Sequence, residues 1–285
     1  MAEQAQQNGP LSAAVADVAS GVALAQRGEG GSYALSGLLA ADEAVSLAAV
    51  RVLGADVLAP YALGAKSETR AAGVTGGGGH PGDSAREGMR TYGGADAYAR
   101  PVSPPGSSPT PPPGSSDGPG SYRSADESVV RKALAAYPPT PGASEVSVWS
   151  YLGLVAASRA YLPGAGGGWP AEPRAGADWV RDDPWPKLAH RASQLAALCL
   201  PGVAPALAEA LGGRTDDLAR GFVRAVRRRD WLQAAGLGRW LSRMPDVPGS
   251  LGLDSGLVFV RRMSGGDPRV TLHITAAQHF PGLGG

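Results

Sequence analysis

The sequence predicts a mainly α-helical protein whose helical N-terminal and C-terminal parts are joined by a disordered segment, with a small β-hairpin near the C-terminus. Three observations carry that expectation. Alanine, valine and leucine recur at helical spacing on both sides of the middle of the chain. Between them, Ala71 to Arg123 runs through Gly76-Gly77-Gly78-Gly79, Pro104-Pro105 and Pro111-Pro112-Pro113 with almost no aliphatic side chain. A segment with so little to bury cannot offset the entropy of ordering its backbone. Near the end, Leu257 to Val260 and Arg269 to Thr275 flank Ser264-Gly265-Gly266, the pattern of two strands and a turn. The predicted organisation is therefore a small alanine-rich helical region (1–70), a Gly/Pro/Ser-rich linker (71–123) and a helical domain (124–285).

In the first region, Leu11 to about Arg27 places Leu11, Val15, Val18, Val22 and Leu24 on one stripe, and Gly28 to Gly31 ends it. A second helix is expected from about Ala41 to Leu53, opened by Asp42 and Glu43, whose charge suits a helix N-terminus. Pro60 bounds a third piece, Tyr61 to Lys66. These helices offer mostly alanine and valine for burial, at about 25 cal/mol per Å². They should need a partner, either the C-terminal part or another copy of the chain.

After the linker, Ser124-Ala-Asp-Glu127 fits a capping box opening a helix to Tyr137. Ser144 should cap the next helix, which Val146, Trp149, Leu152 and Leu154 weight toward a core, and Pro163 to Gly168 closes it. Trp169, Trp179 and Trp185 sit in a proline-interrupted stretch and are expected to lie over the core as a lid. Pro184 suits the first turn of a helix reaching Leu200. Thr215-Asp216-Asp217 then starts the most amphipathic helix in the chain. Leu218, Phe222, Val223 and Val226 fall on one face, and Arg220, Arg224, Arg227 and Arg228 on the other. Trp231 to Arg243 is the next helical stretch.

Composition excludes several classes. The single cysteine, Cys199, rules out an internal disulfide framework, and its apolar setting reads as a buried thiol. Met1 to Gln7 has neither a basic nor an apolar signal region, and Leu195 to Leu211 is interrupted by Pro201 and Pro205. A soluble, intracellular protein without membrane association is the expectation. The chain has one isoleucine, one asparagine and three lysines, against 42 glycines and 25 prolines. A GC-rich coding sequence accounts for much of that bias.

No enzyme is expected. His80, His190, His273 and His279 are scattered and no cysteine pair joins them, so neither a metal site nor a cofactor is read here. Asp182-Asp183 is followed at once by Pro184 and reads as helix capping. The glycine run before His80 lacks the lysine of a phosphate loop.

Charge is the stronger signal. From Arg214 onward there are eleven arginines against six acidic residues, whereas the first seventy residues have four basic against seven acidic ones. A formal charge of +1 thus conceals a polarity. Arginine-dense faces attract phosphate backbones, and the ordinary alternative is a solvated helix face. The candidate phosphate contacts are Arg220, Arg224, Arg227, Arg228 and Arg229, with Arg239 and Arg243 in support. Tyrosine and arginine also sit together at Arg90 and Tyr92, Tyr98 and Arg100, and Tyr122 and Arg123, pairs able to stack on bases and hold phosphates.

The tract Pro101-Val-Ser-Pro-Pro-Gly-Ser-Ser-Pro-Thr-Pro-Pro-Pro-Gly-Ser-Ser116, its alanine-rich flanks and the basic face resemble the proline-alanine-serine-rich proteins of polymycoviruses, double-stranded RNA viruses of filamentous fungi. The likeness is one of composition and size, carries over no individual residue, and departs from the family in having more glycine than serine. It implies a non-enzymatic, self-associating protein that coats double-stranded RNA without sequence specificity, in the host cytoplasm and on the virion. The other class compatible with the residues is a helical protein–protein scaffold of a GC-rich bacterium, with Trp149 to Trp185 as its groove.

Overall fold

The structure, a computed structural model, describes residues 2–29, 33–64, 119–162, 169 and 176–280. Among the described residues every regular element is helical. The chain begins with α1 (Ala2–Gln26), which carries Pro10 within it. Leu24, expected on its stripe, is exposed instead. A 3-10 turn at Leu35–Leu38 leads to α2 (Glu43–Leu53), capped by the Asp42 side chain, which accepts from the Val45 N–H. A second 3-10 turn, Gly54–Leu58, passes into helix at 59–64. The expected linker, 71–123, lies outside the described residues except for its last five, which form the first turns of α3 (Pro119–Ala136).

Then follow α4 (Glu145–Tyr161), α5 (Asp178–Asp182), α6 (Trp185–Gln194), α7 (Pro205–Gly212), α8 (Thr215–Arg227) and α9 (Trp231–Leu241). The chain closes with α10 (Leu253–Met263) and α11 (Pro268–His279). Helix α9 is the hub: it packs against α6, α8, α10 and α11. Glycine allows this closeness at Gly236, where a Cβ would lie 2.7 Å from the Ser193 carbonyl oxygen. On the far side of α11 sits α1, which also packs on α2, while α2 rests on α3 and the turn Gly54–Leu58 on α4. One hydrophobic cluster therefore runs from Val18 and Val22 through Leu58 and Leu154 to Trp240 and Ile274. The partner that the thin N-terminal helices need is the C-terminal part of the same chain.

The β-hairpin does not form. Leu257 to Val260 lie in α10 and Arg269 to Thr275 in α11, with Ser264-Gly265-Gly266 as the bend between two helices. The β-branched residues suggested strands, yet Leu257 and Val260 share one buried face, as do Val270, Ile274 and Ala277, and these spacings are helical. The decisive local signal is Asp267-Pro268. The Asp267 carboxylate accepts from the Arg269 and Val270 N–H groups, and proline occupies the first turn.

The capping box at Ser124 is also replaced, because α3 starts earlier and those residues lie inside it. Glu127 instead holds Arg131 at 2.6 Å. Asp126 is buried and accepts from the Leu35 N–H at 2.7 Å, the Ser36 N–H at 2.8 Å and the Tyr61 hydroxyl at 2.5 Å. Burial, and then the bond to Asp126, push the Tyr61 phenol far up, so it remains a donor. Ser144 caps α4 as expected, accepting from the Ser147 N–H. The pair Asp182-Asp183 does not cap α6, whose N-cap is Pro184. Asp183 binds Lys187 at 2.9 Å and Arg191 at 2.7 Å.

The apolar run Glu43–Gly64 is long enough to span a bilayer by length and composition, but 61% of its most apolar window is buried inside the fold. It carries the most consequential polar group of the core. Asp56 stands 1% exposed with Oδ1 2.7 Å from Nη1 of Arg239, which is equally buried. His273 Nδ1 is 3.2 Å from the same Nη1 and 3.6 Å from Asp56 Oδ2. Three elements meet here: the turn after α2, α9 and α11.

Removing one member of a buried ion pair strands the other charge, at a cost of about 3–5 kcal/mol. Asp56→Ala is therefore expected to lower unfolding free energy by that amount in urea titration, while Asp56→Leu with Arg239→Met restores most of it. Burial first, then Arg239 and Arg269, hold His273 well below 6.5. The unfolded imidazole takes up its proton near 6.5 and the folded one does not, so this stability is present above that pH and lost below it. Asp56, pushed up by burial against the pull of Arg239, works in the opposite sense. The urea midpoint is expected to fall between about pH 7 and about pH 5, with a shallower slope in His273→Gln.

Candidate nucleic-acid interface

Helix α8 carries charges suited to its own dipole. Asp216 and Asp217 sit in its first turn and Arg224 and Arg227 in its last, complementing the helix dipole at both ends. Leu218, Phe222 and Ala225 turn inward and are almost fully buried. Val223, read as part of that face, stands 36% exposed instead, on the shoulder between core and solvent.

The outward face carries Arg220, Arg224, Arg227 and Arg228, all exposed, and Arg229 follows, also exposed. Arg220 Nη1 reaches Asp217 Oδ1 at 3.4 Å, but Asp217 is held more tightly by Arg214, whose Nε lies 2.6 Å from Oδ2. Arg214 itself is a clamp, donating to the carbonyls of Val180, Arg181 and Asp183. The Arg224 guanidinium lies 5.5 Å from the centre of the Trp185 ring. Among the described residues Arg227, Arg228 and Arg229 make no side-chain ion pair. Three full charges are thus free to meet an anion.

Two of the seven candidate arginines leave the set. Arg239 is 1% exposed and committed to Asp56, so it cannot reach a phosphate. As an arginine of the next helical stretch it is expected to support the row, but α9 is surrounded on several sides. Arg243 is half-buried and donates to the Cys199 carbonyl at 2.8 Å, which fixes it as a tie between α9 and the turn after α6. Of the tyrosine–arginine pairs, those at 90–100 lie outside the described residues. Arg123 is engaged over the Tyr61 ring at 5.3 Å.

The end of α8 has an unusual residue. Arg229 adopts φ +59, the left-handed region. Its N–H bonds the Val226 carbonyl and the Asp230 N–H bonds the Ala225 carbonyl, the Schellman arrangement in which glycine is the usual occupant. An arginine in this conformation carries a backbone cost that glycine would not.

Trp185, from the start of α6, and Pro248, Ser250 and Leu251, from the loop before α10, stand opposite the arginine face. Together they enclose an open groove of ≈ 950 Å³ whose α8 wall includes Asp216, Ala219 and Arg220. Nothing local in the sequence joins Trp185 to Arg224, and only the packing of α6 on α8 does so. The expected aromatic lid is divided: Trp179 is buried, Trp169 lies beneath Arg131, and Trp185 alone of the three lines the groove.

Among the described residues no group of three or more His, Cys, Asp or Glu is placed to hold a metal ion. His190 and His273 line one smaller polar cavity of ≈ 310 Å³ with Asp56 and Asp230. There Arg239, which has only donors, faces His273 Nδ1 and takes up its lone pair, so that nitrogen is not free to act as a base. Cys199 is buried, its thiol pushed up to about 12 mainly by burial, and it donates to the Arg239 carbonyl. Comparison with protein-family models, with curated proteins and with solved structures gives no match.

Arg229→Gly removes the left-handed strain but adds unfolded-state entropy, so a net gain of about 0.5–1 kcal/mol is expected. A thermal melt should show a higher Tm. Polyanion affinity should fall in the same variant if the cation at that position takes part in binding.

Proposed function

We propose that the chain is a non-enzymatic protein that associates with double-stranded RNA through its phosphate backbone and coats it without reading sequence. The observation that carries this is the exposed row Arg220, Arg224, Arg227, Arg228 and Arg229, of which all but Arg220 have no ion-pair partner among the described residues. Guanidinium groups spaced along one helix neutralise successive phosphates and release their counterions, which supplies affinity with no base readout. The compositional resemblance to the polymycovirus proteins points the same way, and with it to the host cytoplasm and the virion as the site of action. A coat also needs contacts between copies. The N-terminal helices expected to make them, α1 and α2, are packed against each other and against α11 and α3, so that role passes to exposed apolar side chains such as Val258, Phe259 and Met263 on α10.

The same α10 residues favour a second reading, a protein–protein scaffold. The aromatic groove imagined for it is not available as such, since Trp149 and Trp179 are buried. A partner would dock on α10, where Phe259 meets Trp231 edge-on at 6.0 Å.

Gel shifts with two unrelated double-stranded RNAs at two salt concentrations separate these readings. Equal binding to both RNAs that weakens with salt supports the coat, and no binding at low salt removes it. The double variant Arg224→Glu, Arg228→Glu should bind at least about tenfold more weakly, with the salt dependence of affinity reduced by roughly two released counterions. Its circular dichroism should be unchanged, because both side chains project away from the core.

A further inference from the structure

The groove beside α8 differs in kind from a charged surface. Part of its lining is apolar, from Ala219, Val223, Pro248 and Leu251 with Trp185, beside the polar Asp216 and Ser250. Guanidinium groups of Arg220, Arg224, Arg227 and Arg228 stand at the same groove. At ≈ 950 Å³ its size falls within the range of cavities that bind small organic groups.

An intact RNA duplex has no group suited to that apolar lining. Its bases are paired and stacked inside, and its outer surface is phosphate and ribose, which would meet the arginines and leave the apolar part empty. An unpaired nucleotide satisfies both halves of the groove, with a phosphate for the guanidinium groups and a flat, weakly polar base for the aromatic wall. Arg224 already lies over Trp185, and a base adds to such an aromatic–guanidinium stack as a further layer. From Arg220 to Arg228 the row spans roughly 12 Å of helix, further than the phosphate of one mononucleotide reaches. A strand of several nucleotides fits that span.

We infer that this groove seats an unpaired base together with its flanking phosphates, so that single-stranded stretches or ends of RNA, rather than the duplex interior, are the tighter ligand of the arginine face. The inference rests on the phosphate-binding reading above and names what that face selects.

Fluorescence anisotropy on the full chain tests it with four probes: a short labelled oligoadenylate, an abasic ribose-phosphate strand of equal length, a blunt RNA duplex, and adenosine monophosphate as competitor. The oligoadenylate is expected to bind about tenfold more tightly than either the abasic strand or the duplex, the size of one base–aromatic stack. Trp185→Leu should abolish that difference and leave the abasic strand's affinity unchanged. Should that variant fold poorly, the comparison of oligoadenylate with abasic strand on the unaltered chain decides by itself. Equal affinity for all three polymers leaves phosphate binding standing and overturns the seated base. Adenosine monophosphate competing as well as the oligomer, nucleotide for nucleotide, overturns the strand as ligand. If none of the polyanions binds at low salt, phosphate binding fails first and the inference falls with it.

Discussion

Asp56 and Arg239 face each other at 2.7 Å with almost no access to water, and the arrangement of the molecule follows from keeping them together. A buried charge without its partner is among the most costly defects a core can contain. The turn after α2 must therefore stay against α9, and His273 brings α11 to the same point. The pair is close but poorly aligned: Asp56 Oδ1 makes no hydrogen bond despite its distance, and neither do Arg239 Nε and Nη2 among the described residues. Such a contact does more to specify which elements meet than to strengthen their meeting. Asp126 plays the same part on the other side, tying α3 to the turn at Leu35 and to Tyr61. Both ties link segments far apart in the chain, and through them the N-terminal helices become part of the core.

With α9 enclosed, α8 is left on the outside of the bundle, and that position decides what its charges do. Two neighbouring helices carry arginines of similar sequence appearance and opposite fates. On α8 they meet solvent and the Trp185 wall. On α9 Arg239 meets a carboxylate and becomes a structural pin. Exposure separates an arginine that can meet solvent from one committed to a core ion pair, and exposure is a property of the assembled bundle. The small residues on α9, with Gly236 against the Ser193 carbonyl, let α6 approach closely, which helps bring Trp185 to the arginine face.

The elements that could be read from the chain are those whose signals are local. The stripe Val15, Val18 and Val22, the caps at Asp42 and Ser144, and the amphipathic run from Thr215 all follow from residues within a few positions of one another. The misreadings have equally physical causes. In α11 the run Val270-Thr271-Leu272-His273-Ile274 has strand propensity, but a helix N-cap at Asp267 and a buried face matched to α1 and α9 override it. Propensity is a weak preference beside burial. At Ser124 a valid capping pattern is bypassed because the helix extends past it to Pro119.

What the sequence determined by itself is the helical class, the charge polarity and the amphipathic character of α8, since each depends on spacing along one stretch of chain. Only the tertiary structure decided that α1 and α2 share a core with the C-terminal helices, that Arg239 is buried while Arg224 is not, and that an apolar wall stands opposite the arginines. Those outcomes depend on contacts between residues distant in sequence. Such contacts are set by which faces can be buried together, and no local pattern encodes that choice.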